Sequence, residues 1–193
     1  MLHQQIRRTE FVIQLPQNRV DVIFEINEGP ITGIRSINFV GNKAFDDDRL
    51  REEIITSETR WWRFFASSDN YDPDRLNYDR QQLRRFYLSK GYADFRVVNS
   101  SAELTRDGDE FFVTFNIEEG ELFTFGESGI RSTVETIDTE TMQAAIDHAE
   151  GDRYDLRKIE DTEDALTKLL GEKGFAFADV RARTRRDREN NLI

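Results

Sequence analysis

The chain has 193 residues and a net charge of −11, with 38 acidic against 27 basic side chains. Such a field repels phosphate backbones and argues against nucleic acid as a partner. No apolar run approaches the roughly 18 residues of a membrane span, and the lack of cysteine removes disulfides and thiolate metal sites.

Residues 11–28 read as two short strands, with Val22, Phe24 and Ile26 alternating towards one face before an acidic, glycine-closed turn. A strand is predicted over 34–40 with Ile37 and Phe39 inward, followed by a helix over 46–56 that starts on Asp46. Phe45 and Leu50 are spaced to staple across that cap. "RWWRFFASSDN" (60–70) interrupts the pattern. A second helix is predicted over 73–90: Asp72 caps it, Pro73 opens it, and Leu76, Leu83, Phe86 and Tyr87 share one face. Lys90 and Gly91 close it, the cation facing the negative helix end and glycine accepting a left-handed cap. A strand over 93–104, the "RDGD" turn at 106–109 and a strand over 110–118 complete the series.

The series then recurs. "YDPDRLNYDRQQLRRFYLSKGYADFRV" (71–97) aligns without a gap with "YDLRKIEDTEDALTKLLGEKGFAFADV" (154–180). "FDDDRLREEI" (45–54) recurs as "IDTETMQAAI" (137–146), with Asp138 as the second cap, and "VIFEINEG" (22–29) recurs as "VTFNIEEG" (113–120). The repeating unit is β-α-α-β-β over about 90 residues, an α+β arrangement. Two intervening helices make its first two strands antiparallel in direction. The third strand then runs parallel to the first; if it pairs with both, it is central. The helix pair covers one face of this three-stranded mixed sheet. On this division 1–29 ends a preceding unit, 30–119 is complete, and 120–193 holds the first strand, both helices and the second strand of another. That last unit stops at "NNLI", where a hairpin would enter its third strand, so the sequence reads as a piece cut at both ends. An orphan third strand at 20–27 and a unit lacking one suggest strand-swapped self-association between molecules.

Little in the sequence points to catalysis. Two histidines, His3 and His148, lie far apart, which excludes a plausible histidine metal site or Ser-His-Asp set; His148 reads as a solvated ring near a helix end. Asp46, Asp47 and Asp48 are explained as a helix start, and "DGDE" (107–110) lacks calcium-loop spacing. The aromatics Trp61, Trp62, Phe64 and Phe65 fit either a cap on the core or an interface.

"IRSINFVGNKAFDDDRLREEI" (34–54), "YDRQQLRRFYLSKGYADFRV" (78–97) and "FNIEEGELF" (115–123), in tandem β-α-α-β-β units, resemble POTRA domains. The resemblance is greatest to the periplasmic arrays of outer-membrane protein assembly factors. It implies that 1–29, 30–119 and 120–193 are the end of a second, a complete third and most of a fourth POTRA domain. It further implies a non-enzymatic, cofactor-free scaffold on the periplasmic side of the outer membrane. Its expected partners are unfolded outer-membrane proteins and accessory lipoproteins of the assembly complex. A related outer-membrane translocation or secretion pore is the alternative setting. A small sheet with an exposed edge can accept an extended peptide as a further strand, so the second strand is the candidate site: Phe95, Arg96, Val97, Val98, Asn99 and Ser100. "NSSA" (99–102) breaks the alternation there and suggests a bulge.

Overall fold

The computed structural model describes residues 12–15, 19–22, 32–59, 71–108, 110–133 and 137–193. Strands β1 (Val12–Leu15) and β2 (Arg19–Val22) form an antiparallel pair, running from Val12 opposite Val22 to Leu15 opposite Arg19. They belong to a compact unit of their own.

The main unit contains β3 (Gly33–Val40), α1 (Asp47–Glu52), α2 (Pro73–Leu88), β4 (Arg96–Leu104) and β5 (Glu110–Glu118). The sheet order is β3-β5-β4, with β5 parallel to β3 and antiparallel to β4. This is the expected mixed sheet with the third strand in the centre. Alternation divides its two faces. Ile34, Ile37, Phe39, Val113, Phe115 and Ile117 are buried beneath the helices. On the other face the cross-strand rows are mainly short and polar, such as Asn38–Thr114–Ser101, as suits a solvated surface.

The helix starts are those the sequence predicts. The Asp46 carboxylate accepts from the Arg49 N–H at 2.8 Å, and Asp72 accepts from the Asp74 N–H at 2.9 Å with Pro73 next in line. Helix α1, however, stops at Glu52 rather than 56. The chain leaves the helix because extended backbone finds better partners: the buried Asp79 carboxylate takes the Ile55 N–H at 2.8 Å, and Thr59 N–H donates to Ile34 O at 2.7 Å. Phe45 packs on α2, meeting the rings of Phe86 at 4.8 Å and Tyr87 at 5.2 Å.

The "VGNKAF" loop and the "IEEG" turn meet at one carboxylate. Glu119 accepts from the backbone N–H groups of Lys43 at 2.9 Å and Ala44 at 3.0 Å, and from the hydroxyl of fully buried Tyr87 at 2.9 Å. Burial first, and then the Glu119 carboxylate, push the Tyr87 hydroxyl far above its ordinary pKa, so it remains a donor. Gly41 is required beside this junction: it has φ +98°, and a Cβ there would lie 2.2 Å from the Ile117 carbonyl oxygen.

Residues 120–193 depart from expectation. Helices α3 (Thr139–Met142), continued by a 3-10 turn over Gln143–Ala145, and α4 (Leu156–Glu172) are present, capped by Asp138 and Asp155. The two expected strands are not formed; these segments show isolated bridges at Thr124, Arg153, Asp187 and Leu192. The reason lies in the sheet order. Both outer strands of the complete unit pair with the central one, and 120–193 contains no counterpart of most of that strand. What it does contain follows the pattern. The backbone turns between Asp187 and Leu192, and Leu192 bridges Thr124 in parallel, as Phe111 pairs with Ile34.

Part of the second repeat joins the core of the first, while Met142, Leu166 and Leu170 form a separate cluster. Phe123, Phe125 and Tyr154 belong to the same buried cluster as Tyr87 and Phe95. Phe123 N–H donates to Gly91 O at 2.9 Å, and the Arg188 guanidinium grips Asp94 at 2.8 and 3.1 Å. Arg85 on α2 reaches Glu160 on α4 at 2.9 Å.

Replacing Glu119 by Ala should lower unfolding stability by about 2 kcal/mol, because two backbone donors and a buried hydroxyl lose one acceptor. Glu119→Gln should recover about half of that loss. Urea titrations of the three proteins check the order.

Candidate functional site

The two outer strands of the complete sheet differ in how their open sides are covered. On β3, Ile34 N–H donates to Thr59 Oγ1 at 2.9 Å and Ile37 N–H to Glu58 Oε1 at 3.0 Å, while the Arg51 guanidinium donates to Ile37 O at 2.8 and 3.2 Å. That edge is occupied by its own chain. On β4, among the described residues, the comparable protection is one contact before the strand begins, from Arg84 to Phe95 O at 2.9 Å.

The hairpin fixes which backbone groups of β4 face outward. Thr105 N–H donates to Glu110 O at 2.9 Å, so that opposed pair is hydrogen-bonded. Pairs alternate along an antiparallel ladder. The N–H and C=O groups of Leu104, Ala102 and Ser100 therefore point away from β5.

The six predicted edge residues fall in two places. Phe95 precedes β4, is fully buried, and stacks on Tyr87 with ring centroids 4.0 Å apart. Arg96 to Ser100 lie together on the open edge. Arg96 is exposed and pairs with Glu118, and Val97 is half-buried. The bulge lies between Val97 and Asn99, leaving Val98 out of the ladder and exposed, one residue earlier than "NSSA" suggests. Trp61, Trp62, Phe64 and Phe65 lie outside the described residues.

One feature beside this edge is absent from the sequence expectation. A groove of about 450 Å³ runs between α2 and the start of β4, lined by Asn77, Arg80, Gln81, Arg84, Arg96 and Val97. Four of its residues follow helical spacing on α2, a polar stripe that flanks the apolar face used to place that helix. That stripe is its signal in the sequence.

The POTRA family model, described as a surface antigen variable number repeat, matches residues 32–120 and again 124–193. The chain belongs to the POTRA family. Among curated relatives, the outer membrane protein assembly factor BamA of Neisseria meningitidis is 23% identical over 175 residues, covering 91% of this chain and 22% of the relative. BamA of Neorickettsia risticii is 27% identical over 169 residues, covering 88% and 23%. The chain thus spans less than a quarter of the length of these two relatives. Among solved structures, the crystal structure of Haemophilus influenzae BamA POTRA3-5 superposes with a TM-score of 0.69 at 21% identity, covering 86% of this chain and 65% of that one. The likeness extends to the fold: a POTRA sheet with its two helices.

The second POTRA match holds the other titratable group of interest. Ser128 Oγ and His148 Nε2 are 2.8 Å apart, beside a cavity of about 290 Å³. His148 is not the solvated ring that its sequence position suggests; it stacks on buried Phe125 with centroids 3.7 Å apart. Its Nδ1 is buried without a hydrogen-bond partner, so no carboxylate orients the ring as nucleophilic catalysis requires. Among the described residues no cluster of three or more His or acidic side chains could hold a metal ion, and no helix is long and apolar enough to cross a membrane.

Burial, followed by the nearby Lys158 charge, lowers the His148 pKa against the opposing pull of Asp152 and Asp147. The folded state thus prefers the neutral ring. Its contribution is complete above the unfolded value of about 6.5 and is lost as pH falls through the lower folded value. Stability should therefore fall on acidification from neutral pH, and His148→Gln should flatten this part of the profile. Thermal melts across the pH range measure both.

Proposed function

We propose that this chain is a periplasmic scaffold module of the outer-membrane β-barrel assembly machinery. It holds unfolded outer-membrane proteins and accessory lipoproteins by adding their extended segments to β4. The setting is supported by the likeness to BamA over most of the chain. The mode of binding rests on one observation: β3 is covered by residues 58–59 and Arg51, whereas β4 presents the backbone groups of Ser100, Ala102 and Leu104.

The energetics suit transient holding. A few added backbone hydrogen bonds contribute about 1 kcal/mol each, and ordering the incoming residues offsets most of that. Binding is then weak and tolerant of sequence. The bulge at Val98 twists the edge and limits the run available for pairing, which also discourages edge-to-edge association.

Proline at Ser100 removes an outward donor while leaving the β5 ladder its own bonds. With a photoreactive residue at position 102, Ser100→Pro should reduce crosslinking to unfolded outer-membrane proteins several-fold without changing the melting curve. Undiminished crosslinking, or capture through α2 alone, would exclude strand addition at β4.

A further inference from the structure

The geometry points to selectivity within this site: we infer that the groove between α2 and β4 favours extended segments carrying carboxylates at alternate positions. The inference rests on strand addition at β4.

Arg80 and Arg84 are cations without counter-charges. Among the described residues neither takes part in a salt bridge, although acidic side chains outnumber basic ones in the chain, 38 to 27. Arg84 uses one donor on Phe95 O. A guanidinium has five donors, so most of its capacity remains for an incoming acceptor. Arg80 is half-buried on the same helical stripe, and Arg96 closes the end of the groove. Asn77 and Gln81 add amides, and among the described residues no carboxylate lines the groove.

The repeat indicates that these arginines are not demanded by the fold. In the gapless alignment of 71–97 with 154–180, Asn77, Arg80, Gln81, Arg84 and Arg96 fall opposite Glu160, Glu163, Asp164, Thr167 and Asp179. The same helix stripe is basic in one unit and acidic in its neighbour. On the sister stripe the Glu163 carboxylate of α4 accepts from the backbone N–H of Ala182, so that stripe meets a donor of its own chain. A stripe whose sign inverts on one framework has been set by what it meets.

Spacing supplies the pattern. Arg80 and Arg84 are four residues apart, a rise of about 6 Å along the helix. Alternate side chains on one face of a strand are about 6.7 Å apart. A strand laid against β4 directs every second side chain towards α2, so acids at i and i+2 meet the two arginines together. Two such half-exposed pairs amount to about tenfold in affinity.

The test uses the 193-residue chain and three synthetic ten-residue peptides of equal β-propensity, with Glu, Thr or Lys at alternate positions. Affinity is read by fluorescence anisotropy and location by the photoreactive residue at position 102. The Glu peptide should bind about tenfold more tightly than the Thr peptide and the Lys peptide more weakly than either. The Glu advantage should shrink at about 0.5 M salt, where charges are screened within a few ångströms. In Arg80→Gln/Arg84→Gln the ratio of Glu to Thr affinity should fall to about one. Equal binding of Glu and Thr peptides that both crosslink at β4 overturns the selectivity and leaves strand addition standing. A Glu preference that survives the double substitution, or that ignores salt in the unaltered chain, also overturns it. If no peptide crosslinks at position 102, strand addition itself falls, and the selectivity with it.

Discussion

Every ladder bond of the main sheet passes through β5. The outer strands β3 and β4 meet nothing in common except this strand, and three alternate residues of β5, Val113, Phe115 and Ile117, form the floor on which the helices rest. Its far end carries the Glu119 carboxylate, which ties the β3–α1 loop and the α2 hydroxyl of Tyr87 to the same point. Residues 120–193 illustrate the dependence. With helices, caps and turn in place but only Leu192–Ile193 standing where β5 would begin, the two outer segments make no ladder. A strand that pairs on both sides removes two edges from water at once; without it, each outer strand would order its backbone for nothing in return.

A sheet built this way necessarily has two edges, and the chain treats them differently. Residues 54–59, released from α1, lie along β3 and occupy its groups. The release depends on Asp79, whose buried carboxylate holds the Ile55 N–H and whose pKa is raised by burial despite the hydrogen bonds and Arg75 that oppose the shift. One helix is thus cut short to close one edge, while among the described residues the other edge is left uncovered, with a bulge as its guard. The asymmetry that motivates the functional reading is a consequence of where α1 ends.

Much of this was legible in the sequence because it is encoded locally. Asp46, Asp72, Asp138 and Asp155 announce their helices by capping chemistry alone, and the spacing of Leu76, Leu83 and Phe86 needs nothing beyond the helix itself. Chain direction makes β5 parallel to β3, and its central position needs only that it pair with both neighbours. What escaped was settled by distant partners. Asp79 lies 24 residues from the amide it captures, so the early end of α1 has no local signal. His148 stands 23 residues from Phe125, the ring that removes it from water. The groove escaped for another reason. Periodicity finds the apolar face of α2 and is silent on the polar stripe that flanks it; comparison of sign between the repeats, at Arg80 against Glu163, carries the information that hydrophobicity does not.

The accepting edge is also joined to the next repeat. Asp94, two residues before β4, is held by Arg188 and Arg186, and the Arg188 guanidinium leads the causes that lower its carboxyl below the usual range. Gly91 gives its carbonyl to Phe123, and Arg84, which caps Phe95 at the start of β4, sits one residue from Arg85, which pairs with Glu160 on α4. The start of β4 is therefore positioned from both repeats, through a shared core in which Phe95, Phe123 and Tyr154 are buried together. On the proposed reading, a strand added to β4 would pull on backbone that is braced at this end by the next repeat and, beyond the bulge at Val98, by the ladder to β5. Load would then pass into the neighbouring repeat through buried rings and hydrogen bonds. On the proposed function an unfolded chain brings no order of its own, so the surface on which it is laid out has to be supplied by the receiver, and residues of both repeats build the start of that surface.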